Sequence, residues 1–340
     1  MIEKRIKNEQ TLKKWRTFKR KKAAWISLWL IVASCFFSFT AEFWANSKPL
    51  VINYKGETYF PVFKEYSAKD FGITDSLFVD YKGLELSNDD WVVWPLVKWD
   101  PYQSNKNVDE YPAPPSSENI MGTDDRGRDV FTRLLYGFRY SIAFAIFVWI
   151  ITFIVGVLLG SLQGYMGGRM DLYMQRITEV LSTVPQLFLL IILIAVFQPS
   201  LALLIIIYSL FGWIPISYYM RAEFLKNRKK EYVEAARALG AGHGRVFFKH
   251  ILPNSLAPII TFSPFAIVAN ISALAALDYL GFGLTPPTPS WGELLAQAQN
   301  NFTIGWWLAL FPSLALFCAL TFFSLIGEGI RDAMDPHQRE

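Results

Sequence analysis

The sequence predicts an all-α membrane protein of six transmembrane helices, with a small β-containing insert between helices one and two. Three observations carry this. Of 340 residues, 52% are hydrophobic and 16% aromatic while 18% are charged, which is too apolar for the two soluble domains that this length would otherwise suggest. Six stretches are long and apolar enough to cross a bilayer core, a task needing roughly 17–25 residues because every backbone group must be bonded within the segment. Prolines interrupt several of these stretches, and neighbouring helices must then satisfy the freed carbonyls, which favours a packed bundle over a single anchor.

Residues 1–22 form a basic arm holding Lys4, Arg5, Lys7, Lys13, Lys14, Arg16, Lys19, Arg20, Lys21 and Lys22. The first span follows at 23–43, with Trp25 and Trp44 near its ends as interfacial anchors. A signal peptide is the competing reading. The apolar run is longer than a usual signal core, and it leads into Phe43-Trp44-Ala45-Asn46 rather than a compact small-residue cleavage site.

Residues 44–133 form the insert. Leu50 to Tyr54, then Lys55-Gly56, then Glu57 to Phe60 reads as a β-hairpin with a tight turn. Tyr111-Pro112-Ala113-Pro114-Pro115-Ser116 reads as an extended linker, since each proline drives the preceding residue out of the helical region.

The remainder, 134–340, carries five further spans, expected at about 140–162, 180–197, 201–219, 256–277 and 306–326. Pro199 and Ser200 leave room only for a tight helical hairpin between spans three and four. Pro258 and Pro264 lie inside span five and Pro312 inside span six; Pro185 and Pro215 are expected to kink or end helical turns. Gly156, Gly160 and Gly164 repeat at the four-residue spacing that lets two helices approach closely.

Lys and Arg set the orientation. The basic arm, Arg169 and Arg176 after span two, the eight basic residues from Arg221 to Lys249, and Arg331 and Arg339 after span six all fall on one side. Both termini are therefore expected in the cytoplasm and the insert outside. An acidic lipid surface or a nucleic acid competes as an explanation of the arm, but topology alone accounts for it, and a net charge of +4 over the chain does not describe a nucleic-acid binder.

Chemistry is sparse. Cys35 and Cys318 both sit in apolar runs, and His243, His250 and His337 make no zinc-binding pattern. There is no nucleophile elbow and no phosphate-binding loop, so no catalytic, cofactor or metal residue is assigned. Asp124, Asp125 and Asp129 lack the ligand order and closing Glu of a calcium loop. Asp278, at the outer end of span five, is a candidate contact on a substrate path or a headgroup-level charge.

The loop 221–254 is the most informative segment. Glu231 to Leu239 has helical composition, Gly240 offers the left-handed conformation that ends a helix, and Pro253 is expected to bar continuation into span five. Ala235, Ala236, Ala238 and Gly240 would give a small-residue surface flanked by Glu234 and Arg237. On these residues alone, docking to a partner and lying against lipid headgroups stand level.

Glu234-Ala235-Ala236, Gly240 and Ile251-Leu252-Pro253 resemble the EAA signature of ABC-importer permease subunits. Gly122-Thr123-Asp124, Gly127-Arg128-Asp129-Val130 and Arg133 to Gly137 resemble the segment before span two in the oligopeptide, dipeptide and nickel subgroup. Gly164-Tyr165, Gly167-Gly168, Asp171, Leu280-Gly281-Phe282-Gly283 and Asp335-Pro336 fit the same subgroup. The long insert, with Asn46 to Leu50 and Tyr59-Phe60-Pro61, is similar to Yej-type permeases associated with oligopeptides and microcin C.

The resemblance implies a MetI-like permease fold in a bacterial inner membrane, importing peptides or peptide-like compounds and doing no catalysis itself. It implies ATP and Mg on two ATPase subunits or one fused ATPase, a second permease subunit, and a periplasmic peptide-binding protein. Glu231, Glu234, Ala235, Ala236, Gly240, Leu252 and Pro253 would couple to the ATPase; Asp124, Arg128 and Asp129 would gate the outer mouth or meet a partner. A membrane-embedded hydrolase acting on peptides or lipids, and an envelope channel or scaffold, are the rivals. Neither accounts for the EAA loop.

Overall fold

The computed structural model describes residues 8–73 and 79–335. Lys4, Arg5, Lys7, Pro336, His337 and Arg339 lie outside the described residues. Among the described residues, five helices are long and apolar enough to cross a membrane, or six spans if one bent pair counts as a single crossing.

Helix α1 (Glu9–Arg20) is capped by Asn8, whose side chain accepts from the Gln10 N–H at 2.9 Å. It leads into α2 (Lys22–Phe39), the first apolar helix, and a short α3 (Ala41–Trp44). The insert follows with β1 (Val51–Tyr54), β2 (Glu57–Tyr59) and β3 (Trp91–Val93), an antiparallel sheet in the order β2-β1-β3. The expected hairpin is present, with Ile52 opposite Tyr59, and its turn residues Lys55 and Gly56 both have positive φ, 50° and 83°. That matches the two-residue turns whose twist suits paired strands. Strand β3 has no local signal, because it joins β1 across about forty residues. Ile52, Tyr54, Phe71 and Tyr81 form an aromatic core under the sheet.

The Pro-rich segment is extended but is no linker. Pro112 and Ala113 are buried, and Ala113 exchanges hydrogen bonds with Thr123: its N–H donates to Oγ1 at 2.8 Å and its carbonyl accepts from the Thr123 N–H at 2.9 Å.

Helix α4 (Val130–Met166) begins ten residues before the expected span, because Asp129 caps it by accepting from the Thr132 N–H at 2.8 Å. The expected third span, 180–197, instead falls across the break of a bent pair, α5 (Gly168–Ser182) and α6 (Gln186–Val196), bent by 67°. Pro185 is the cause: it lacks an N–H and bars its predecessor from the helical region. The hairpin at Pro199-Ser200 leads into α7 (Leu201–Gly212), which continues almost unbroken into α8 (Ile214–Asn227) since Pro215 occupies the first turn, where its missing N–H costs nothing.

After α9 (Glu231–Ala238), one turn, α10 (His243–Arg245), runs through a π turn at Val246–Ile251 into α11 (Leu252–Tyr279). Pro253 therefore does not stop the helix. It falls in the first turn of the α-helical part, and the wider π turn before it absorbs the missing donor. Helices α12 (Trp291–Asn300) and α13 (Trp306–Met334) complete the chain.

Helices α2, α4, α11, α12 and α13 share one core containing Ile31, Phe138, Ile271, Trp291, Leu308 and Phe323. The glycine repeat of α4 lies on α8: a Cβ on Gly156 would meet the Trp213 carbonyl, one on Gly160 the Ser217 backbone, and one on Gly164 the Arg221 carbonyl and Phe224. The two ends of the bundle differ. One carries α1, α9 and the end of α13, where Lys21 pairs with Asp332 at 2.6 Å; the other carries the insert and α12.

Candidate functional site: an exposed short helix at one end and an ionic clasp at the other

Helix α9 is a short amphipathic helix held on a packed base. Val233 is fully buried and Ala236 is 9% exposed; Val233 packs in a cluster with Met220, Phe224, Val246, Phe247 and Ile251. Glu231 and Glu234 lie in the first turn and Arg237 in the last, each favourable to the helix dipole. The helix closes in a Schellman arrangement: the Gly240 N–H donates to the Arg237 carbonyl at 2.9 Å and the Ala241 N–H to the Ala236 carbonyl at 3.0 Å. Gly240 has φ +80°, the conformation that this closure requires.

The outer face is formed by Glu231, Glu234, Ala235, Arg237, Ala238, Leu239 and Gly240, all exposed. Ala236 is not part of it, because it points into the base; the small-residue surface expected from sequence is Ala235, Ala238 and Gly240. Leu239 is 89% exposed, a bare apolar side chain beside small residues. Sequence reading passed over it, although its place just before the helix-ending glycine was the available signal. Leu252 is half-buried against the same base and Pro253 is exposed.

Two contacts tie this loop to the bundle. The Tyr165 hydroxyl, at the end of α4, hydrogen-bonds His243 Nδ1 at 2.8 Å. The Arg228 guanidinium donates to the Gly164 carbonyl at 3.1 Å, so α4, α8 and the loop meet at one point.

At the opposite end, Asp124, Arg128 and Asp129 are buried, at 0%, 2% and 1% exposure. This corrects the expectation of a partner contact through these side chains: they are occupied within the chain. Arg128 Nε donates to Asp124 at 2.7 Å and its Nη2 to Glu293 of α12 at 3.1 Å. Arg133, wholly buried, also bonds Glu293, and its Nε stands 3.4 Å from Asp124 as an ion-pair contact without hydrogen-bond alignment. Asp129 accepts from Thr132 and, at 2.9 Å, from Asn119 Nδ2. Burial pushes the Asp129 carboxyl up against these lowering hydrogen bonds, and pushes Asp125 up with help from the Asp124 charge. Arg133 and Glu293 are the members that sequence reading did not assign to a site. Ser290, which accepts from the Glu293 N–H at 3.4 Å, marks the helix start but not the ion pair 160 residues away.

Asp278 is likewise occupied. It accepts from the Leu284 N–H at 2.6 Å and from the Ser290 hydroxyl at 2.5 Å, with Gly283 and Gly292 close against it. These bonds fold the turn between α11 and α12. Among the described residues, no group of three or more His, Cys, Asp or Glu could hold a metal ion.

Comparison with known proteins gives a consistent result. Residues 156–340 match the family model "Binding-protein-dependent transport system inner membrane component". Residues 12–61 match "N-terminal TM domain of oligopeptide transport permease C". The chain is 40% identical to the inner membrane ABC transporter permease protein YejE of Escherichia coli (strain K12), covering 96% of each chain. It is 38% identical to the peptidoglycan transport system permease protein YejE of Agrobacterium fabrum, covering 96% of this chain and 93% of that one. It is 35% identical to the oligopeptide transport system permease protein OppC of Bacillus subtilis, over 70% of this chain and 78% of that one.

Proposed function

This chain belongs to the family of binding-protein-dependent transport system inner membrane components, and from that premise we propose that it is an inner-membrane permease subunit of an ATP-driven peptide importer. Its substrate is an oligopeptide or peptide-like compound, which includes the peptide-bearing fragments suggested by the name of one relative and the antibiotic microcin C. A second permease completes the path, a periplasmic peptide-binding protein delivers the substrate, and ATP and Mg reside on two ATPase subunits or one fused ATPase. This chain contributes no catalytic group.

Helix α9 is the coupling element. The observation that carries this reading is its outer face: Glu234, Ala235, Ala238 and Leu239 stand exposed on a helix whose other side is locked into the base by Val233 and Ala236. A rigid base with a bare apolar tip transmits a push, and the small residues admit a close-fitting cleft. Displacement of α9 passes through the π turn into α11, which reaches the other end at Asp278. From there the Ser290 hydrogen bond and the Glu293 ion pair with Arg133 reach α4. ATP and peptide then each favour a different arrangement of the bundle by binding it more tightly.

Both termini lie in the cytoplasm and the insert in the periplasm. The Lys21–Asp332 pair supports placing both ends together, and the clustered basic residues support that side as cytoplasmic.

Uptake tests the reading. Cells lacking the chain are complemented with the wild type or Ala235→Glu and challenged with labelled tri- to hexapeptides and with microcin C. Uptake and sensitivity should be restored by the wild type alone. Full restoration by Ala235→Glu would remove α9 from the coupling step.

A further inference from the structure

The exposed apolar side chains of α2 include an unbroken stripe, Trp29, Val32, Phe36 and Phe39, at helical steps of three and four residues. At about 1.5 Å for each of its 18 residues, α2 is close to the hydrocarbon thickness of a bilayer, so the Phe39 end reaches the membrane boundary on the insert's side. Beyond the break at Thr40, Phe43 of α3 is the next exposed phenylalanine of that stripe. Its neighbour Trp44 folds back on Phe37, ring centres 5.0 Å apart, with its Nε1 donating to Thr40 Oγ1 at 2.8 Å. This is the aromatic level that marks the edge of a membrane span.

The stripe does not end on the helix. Phe63, from the turn that follows β2, packs edge-on against Phe43 with ring centres 5.6 Å apart, yet is still 72% exposed. Phe60, which opens the same turn, is 45% exposed. The turn is held in shape by its own backbone: the Phe63 and Lys64 N–H groups both donate to the Phe60 carbonyl, at 3.0 and 3.1 Å. Pro61 is buried beneath it, and Glu65 after it pairs with Lys48 at 3.2 Å. Two phenylalanines are thus kept outward at the level where the first span leaves the bilayer. Lys64 between them and Glu65 is exposed, with a stem long enough to carry its ammonium to the headgroups.

We propose that the turn 60–64 is a membrane contact of the insert, its Phe60 and Phe63 rings seated among the headgroups and first acyl carbons of the adjoining leaflet. The occupant is the bilayer because Phe63 continues a face that already meets it. The proposal rests on α2 crossing the membrane and is independent of what the bundle transports.

The test uses the whole complex in nanodiscs of phosphatidylethanolamine and phosphatidylglycerol, with a small fraction of a phospholipid carrying a diazirine near the start of one acyl chain. After irradiation, lipid adducts are mapped by mass spectrometry. The turn 60–64 should be labelled within about threefold of Phe36 to Phe39 and at least tenfold more than Lys55 to Glu57 at the far end of the hairpin. Phe60→Ser/Phe63→Ser should lower labelling of the turn at least fivefold and leave that of α2 unchanged; Phe63→Ser alone serves where the double variant fails to assemble. A labelled α2 beside a turn at the level of the hairpin tip overturns the proposal alone, since water or another protein would then cover the two rings. Undiminished labelling of the turn in the serine variants overturns it as well, and an unlabelled α2 overturns it together with the span on which it rests.

Discussion

Gly160 of α4 lies directly against the Ser217 carbonyl of α8, with no room between them for a side chain. Gly156 and Gly164 repeat the relationship one turn to either side, so the α4–α8 contact rests on three missing methyl groups. Gly160→Leu should destabilise the assembled protein by at least the ~1–3 kcal/mol usual for overpacking, read as a lower melting temperature and a poorer yield of complex. Gly244→Ala, where a Cβ would meet nothing within 4 Å, is the matched control and should behave as the wild type.

Glu293 is the shared acceptor for Arg128 and Arg133, whose side chains are 3% and 0% exposed. Glu293→Gln leaves two buried guanidinium groups with one carboxylate, and breaking one partner of a buried pair typically costs about 3–5 kcal/mol. Arg133→Met with Glu293→Leu, which removes the pair rather than breaking it, should be less harmful than Glu293→Gln. Thermal unfolding of the purified complex checks both; a double variant worse than the single one would contradict the ion-pair account.

Gly240 ends α9 with φ +80°, in open space. Replacement is therefore limited by backbone conformation alone, about 1–3 kcal/mol for a residue forced into that region. Gly240→Asn should retain most transport and Gly240→Val little, because a β-branched residue tolerates positive φ least. Equal uptake by the two variants would show that the Schellman closure is dispensable.

Lys82 makes a pH prediction. Its folded value is lowered to about 8, from 10.5, chiefly by burial. Between those values the unfolded chain binds the proton that the folded chain has released, so stability attributable to Lys82 rises with pH across that window. The melting temperature of the wild type relative to Lys82→Met should climb from pH 8 toward 10, and a flat difference would contradict the burial.

Much of the architecture is legible in the sequence for simple reasons. Long apolar runs mark the helices, Lys55-Gly56 marks a turn, and the four-residue glycine spacing marks a helix contact. Gly240 likewise announces the end of α9. What escapes is set by distant partners. Arg128 and Asp129 read as available because Glu293 and Asn119, which occupy them, carry no local sign of doing so, and Asp124 because nothing local says that Arg128 and Arg133 turn back onto it. Ala236 looks like surface until the Val233 base fixes the phase of a helix only eight residues long. Pro253 and Pro185 show the same rule from two sides: one falls in a first turn and is harmless, the other falls mid-span and bends the chain.

The central claim is that the outer face of α9 enters a cleft on an ATPase subunit. Site-specific cross-linking tests it most directly: Leu239→Cys, in a Cys35→Ala/Cys318→Ala background, is treated with a short bifunctional thiol reagent in native membranes, with and without ATP, and the cross-linked chain is identified by mass spectrometry. The account predicts one product, joining this chain to a protein containing a nucleotide-binding phosphate loop, with a yield that changes on adding ATP. An intact complex giving no such product, or a cross-link only to another multi-span chain, would contradict it.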